Sequence, residues 1–225
     1  MATNFPGSLD SFTNPSASDA MDSVTVPHAD QHANLNDAVE ALQAKVGVDG
    51  SAVTSSLDYK VAQQGLTFIK SQAIGSGVSS VTMTNAFDGT FDDYRVIVSG
   101  TYASTAGGQT LRMRFGSGNS TEYWGGGQAV LYSGTVNTWS FYNAAQLDLA
   151  YLDTQPSRLS VAFDVITPYL TTSATSVHSN GTGLLSGVWV NGMYAPVERV
   201  TDLYFFTSSG TITGGTIRVY GYNNG

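Results

Sequence analysis

YRVIVSGTY, residues 94–102, decides the fold: Val96, Val98, Gly100 and Tyr102 alternate with Arg95, Ile97, Ser99 and Thr101. An apolar residue at every second position marks a half-buried strand, because successive side chains leave the backbone on opposite faces. The same period recurs in Leu111, Met113 and Phe115 against Arg112 and Arg114. It recurs again in Leu159, Val161, Phe163 and Val165 against Ser160, Ala162 and Asp164. Further strands are predicted at residues 81–85, 129–133, 138–142, 146–152, 187–191, 201–207 and 216–222, separated by Gly, Asn, Ser and Asp clusters. No helical run interrupts residues 71–225, so this part is predicted as an antiparallel β-sandwich, jelly-roll-like, and the chain as mainly β. Asp92 and Asp93 are placed in a turn before the strand that opens at Tyr94.

Upstream the period changes. Residues 28–46, HADQHANLNDAVEALQAKV, are predicted helical: good helix formers fill the second half, Pro27 suits a helix start, and Gly47 and Gly50 end it. Leu35, Val39, Leu42 and Val46 are spaced four, three and four apart, and His32 and His28 continue the series backwards. That is a heptad stripe, the pattern of a short coiled coil with two histidines on its seam. One helix with so narrow a stripe makes no core. Under three heptads it is also too short to stand alone, so it is expected to form where several chains are held together.

Residues 1–27 carry Pro6, Pro15 and Pro27 among Asn, Ser and Asp, with isolated apolar residues such as Phe5, Leu9 and Phe12. This reads as an extended arm whose spaced rings dock onto a partner. Residues 47–70 read as a connecting neck in which Leu57 and Val61 either continue a helical turn or belong to a crossover.

Composition narrows the function. Charged residues make up 12% of the chain, about half the share usual in globular proteins. Hydroxyls, amides and 25 glycines supply the polarity, as in β-rich extracellular and virion proteins. The net charge is −8, with nine Lys and Arg in no cluster, which argues against nucleic acid as a partner. No signal peptide or stretch of about 18 apolar residues is present, so neither export nor membrane insertion is expected. There is no cysteine, which removes disulfides and thiolate chemistry.

Catalysis is not expected, because no nucleophile elbow, phosphate-binding loop or metalloprotease motif occurs. A glycan hydrolase needs two facing carboxylates, and none of Asp88, Asp92, Asp93, Glu122, Asp148, Asp153, Asp164, Glu198 and Asp202 sits in a recognisable context. Ligand recognition has better candidates. Glu122, Tyr123 and Trp124 adjoin three glycines, and Trp139 leads a second aromatic cluster with Phe141 and Tyr142. Rings beside open backbone suit the stacking of a sugar face; the competing assignment, that these rings are core or interface, carries more weight. The polar stretch 173–183 is read as an exposed loop tip, with His178 solvated. His28 and His32, four apart, have the spacing of a metal chelate, but are assigned to polar seam contacts that fix register, so no metal or cofactor is expected.

The words NFPGSLDSFTNPSASDAMDSV, HADQHANLNDAVEALQAKVG and VDGSAVTSSLDYKV, covering residues 4–62, resemble the opening of many bacteriophage tail-fibre and minor structural proteins. GTITGGTIRVYGYNNG at the end is similar to the final strand of many such knobs. The resemblance implies a virion component, a homotrimer attached to other phage proteins through its N-terminal arm, at Phe5, Leu9 and Phe12. His28, His32, Leu35, Val39, Leu42 and Val46 would then hold the trimer. Two readings follow: a short tail fibre whose knob binds a host-surface glycan or protein, or a capsid head fibre or decoration protein without a receptor role.

Overall fold

The computed structural model describes residues 18–22, 24, 27–63, 65–104, 108–116, 118, 121–152, 154, 159–183 and 186–223. The chain divides into two compact units, with the boundary between Gln64 and Gly65.

The first unit contains α1 (His28–Val46) and α2 (Leu57–Ala62). α1 has the bounds that the sequence predicts. Pro27, at φ −63° and ψ 129°, opens it, and Gly47, at φ +89°, closes it by donating its N–H to the Gln43 carbonyl. Only a residue without Cβ fits position 47, since a Cβ there would come within 2.9 Å of Ser56 Cβ and Oγ. The segment after α1 is ordered by its own hydroxyls. Ser56 caps α2 by accepting the Tyr59 N–H at 3.2 Å and donates to the Val53 carbonyl at 2.8 Å, and Ser51 N–H donates to Asp58 at 2.9 Å. Leu57 and Val61 therefore lie on a short helix of their own.

The second unit is mainly β, with antiparallel sheets. Its strands are β1 (Leu66–Ala73), β2 (Ser80–Met83), β3 (Asp93–Ser99), β4 (Tyr102–Ala103), β5 (Gln109–Phe115), β6 (Tyr123–Leu131), β7 (Val136–Ala144), β8 (Leu147–Leu152), β9 (Ser160–Ile166), β10 (Thr175–Gly183), β11 (Ser186–Tyr194), β12 (Leu203–Thr207), β13 (Ile212–Thr213) and β14 (Thr216–Tyr222). Eight form one sheet in the order β1-β14-β3-β9-β10-β11-β6-β7, four form a second in the order β2-β12-β5-β8, and β13 pairs with β4. Residues with the two-residue period turn their apolar side inward: Val96 and Val98, Val161 and Phe163, Leu111 and Met113, Ile217 and Val219 are all buried. The buried sides of the two larger sheets join in one hydrophobic cluster, with Phe163 of one meeting Phe205 of the other at 6.2 Å between ring centres.

Four expectations are corrected. The β unit starts at Leu66, not at residue 71, because Leu66–Ala73 adds to the sheet beside β14. The 94–102 strand breaks at Gly100, whose φ of +76° turns the chain so that Tyr102 joins the small sheet instead. Glycines 125–127 are not loose backbone beside rings but the middle of β6. Residues 173–183 are not a loop tip: Thr175–Gly183 is β10, an interior strand paired on both sides, with β9 and β11.

Candidate functional site on the outer face of the eight-stranded sheet

Strand alternation gives the large sheet a second face, turned away from the hydrophobic cluster. Across it the register aligns Arg95 of β3, Asp164 of β9, His178 of β10, Asn191 of β11, Gly126 of β6 and Ser140 of β7 in one row. Arg95 Nη1 donates to Asp164 Oδ1 at 3.1 Å and to the Tyr222 hydroxyl at 3.1 Å, and Tyr222 donates to the same Asp164 oxygen at 2.6 Å. The hydrogen bond to Tyr222, and the Asp164 charge, raise Arg95 above its ordinary value. Burial, with the bond to Asp164, pushes the Tyr222 hydroxyl up, so it remains a donor. His178 Nδ1 and Asn191 Oδ1 lie 2.9 Å apart in the next pair of strands.

Apolar rings flank this row. Trp124 meets Tyr142 edge to face at 4.6 Å between ring centres, and Met193 stands opposite Trp124 on β11. Tyr142 is 82% exposed, while Trp189, opposite Gln128, is 40% exposed. A face with rings at one end and fixed planar donors and acceptors in the middle can stack a sugar ring and hydrogen-bond its hydroxyls.

The sequence-derived ligand residues separate on folding. Trp124 belongs to this face. Tyr123 points the other way: it is fully buried, stacks with Phe115, packs against the tilted ring of Tyr194, and accepts the Phe115 N–H on its hydroxyl at 2.7 Å. It is a core residue. Trp139 also turns inward, packed on the core and edge to face with Tyr151. Glu122 sits just before β6 at φ +82°, its N–H donating to Asn143 Oδ1 at 2.9 Å. Sequence reasoning missed Arg95, Asp164, His178, Asn191 and Tyr222 as a group; TSVHSNGTG, residues 175–183, carries polar residues on both faces of its strand and so gave no alternation to read.

The candidate carboxylates are largely engaged within the fold. Asp148 accepts from Arg112 Nε at 2.9 Å, Glu198 from the Tyr194 hydroxyl at 2.8 Å, Asp93 from the Thr167 N–H at 3.0 Å and Asp202 from the Asn85 N–H at 2.9 Å. Asp153 lies outside the described residues.

In the first unit, His28, His32, Leu35, Val39, Leu42 and Val46 share an arc of about 80° around α1, at 3.6 residues per turn. All six are exposed, the four aliphatic ones by 43–59%. The covered residue of α1 is instead Asn34, at 3%. The arm residues Phe5, Leu9 and Phe12 lie outside the described residues. No protein-family model, curated protein or solved structure matches this chain.

Proposed function

We propose that the chain is a bacteriophage virion structural protein: a short homotrimeric tail fibre, held to the particle by residues 1–27, that presents its β unit to the host surface. In this reading α1 is a short trimeric coiled coil and the two large sheets form a jelly-roll-like sandwich knob. The observation that carries it is the open seam of α1. Burying a Val or Leu side chain is worth about 1.5–3 kcal/mol, so four seam residues about half exposed leave on the order of 3–6 kcal/mol per chain to be gained by association. The seam lies within the residues that resemble the phage proteins, and the outer sheet face supplies a surface suited to a host glycan.

The test has two arms. Deleting residues 1–27 is expected to leave the protein trimeric but absent from particles; retained incorporation overturns the anchor. Added full-length protein is expected to block adsorption of particles to host cells. Intact adsorption at saturating protein removes the receptor role and leaves the head-fibre or decoration role, which shares every other feature.

A further inference from the structure

We propose that His28 and His32 form a bidentate site for a divalent transition-metal ion, shared by three chains at the head of the α1 seam. Their Nε2 atoms lie 3.0 Å apart, converging from successive turns of one helix face. Two nitrogens at the usual metal distance of about 2.05 Å and 3.0 Å apart subtend about 94° at the ion. That is close to the right angle between neighbouring ligands of an octahedral or tetragonal ion, whereas a tetrahedral ion needs about 3.35 Å between nitrogens. Imidazole ligands with this angle suit Ni2+ or Cu2+. The rings stand edge to face at 79°. Their 3.0 Å contact is of hydrogen-bond length, so an ion takes its place when both rings carry their proton on Nδ1.

Within one chain the pair is incomplete, for no group of three His, Asp or Glu side chains gathers among the described residues. The missing ligands come from equivalent pairs. His28 and His32 lie in series with the apolar seam, so packing three seams brings three pairs to the axis, each offering two nitrogens. Asp30, in the same first turn, offsets the positive end of the helix dipole, which would otherwise oppose a cation there. This proposal rests on the trimeric reading, and the measurements below separate the two.

The untagged full-length protein is stripped with chelator, then titrated with NiCl2 by calorimetry while its mass is followed by sedimentation. Expected are one Ni2+ per three chains and at least a tenfold loss of affinity in either H28A or H32A. H178A, which changes the histidine on the β unit, is expected to bind as the unsubstituted protein does. A trimer that binds no Ni2+, or binds it equally in the H28A/H32A variant, overturns the metal site and leaves the trimer standing. A monomer that binds one Ni2+ per chain through the pair overturns the trimer and the shared site together.

Discussion

The indole of Trp139 on β7 lies across Gly127 on β6: a Cβ at position 127 would come within 2.6 Å of Trp139 Cζ2 and 2.9 Å of the Trp189 carbonyl oxygen. The second contact is backbone of β11, which cannot rotate away. Gly127→Ala is therefore expected to cost about 1–3 kcal/mol by overpacking. At the middle of that range Tm falls by about 4–8 °C. Thermal unfolding of the variant measures it, and an unchanged Tm would mean that the ring does not rest on the strand.

That contact also shows where the sequence stops being legible. Strands with an apolar residue at every second position, such as β3, β9 and β14, announce themselves because burial demands hydrophobic side chains there. β6 and β10 do so less, because much of what they turn inward is small: glycine under Trp139, between Tyr123 and Ala129, in one, and Thr175 and Ser179, on either side of Val177, in the other. A small inward residue gives no periodic signal, and the same strands then resemble loops. The bounds of α1 were legible to the residue, since helix-former content and terminal signals are local. The polar row on the outer face was not, because Arg95, Asp164 and Tyr222 are brought together only by pairing of strands distant in sequence.

Tyr123 tests the separation of core from surface. Tyr123→Phe leaves the ring but deprives the buried Phe115 N–H of its acceptor at 2.7 Å. An unsatisfied buried donor costs about 1–3 kcal/mol. Urea unfolding should show this loss, while host-cell binding at low temperature is unchanged. A binding defect in the folded variant would restore Tyr123 to the ligand site.

Asp148 and Asp88 contribute to acid stability in opposite senses. Burial raises the Asp148 carboxyl above its ordinary value, although Arg112 pulls it back. The native state thus holds that proton more tightly than the unfolded chain. Its contribution to stability is present below the unfolded value and is lost as pH rises through the folded one. Asp88 works the other way. The Thr90 N–H, then the Tyr94 hydroxyl, lower it, so its contribution is present above the unfolded value and is lost as pH falls through the folded one. Asp148→Asn should make stability climb more steeply from about pH 4 to 6 than in the unsubstituted protein, and Asp88→Asn less steeply from about pH 2 to 4. Urea midpoints across those ranges decide it, and an equal or shallower slope for Asp148→Asn contradicts the assignment.

Trp124 and Tyr142 are the rings of the outer face best placed to meet a ligand. Anchoring aromatics at interfaces cost about 2 kcal/mol or more on truncation, more than tenfold in affinity. Trp124→Ala and Tyr142→Ala should each weaken competition for host cells by that factor. Tyr142, 82% exposed, should do so with little change in Tm. Full competition by both variants would take these two rings out of the proposed receptor surface.

The seam of α1 gives the sharpest test of assembly. Leu35 and Leu42 are 59% and 52% exposed in the single chain, and both belong to the first unit. Replacing both by Asp places charges where seams would meet, and a charge desolvated without a partner is far costlier than the apolar contact it replaces. The doubly substituted chain is expected to sediment as a monomer, with the β-sheet circular dichroism of the parent intact. Had the seam merely faced solvent, the same substitutions would add two favourable surface charges and change nothing in mass. A variant that remains trimeric therefore places self-association on the β unit and removes α1 from the assembly.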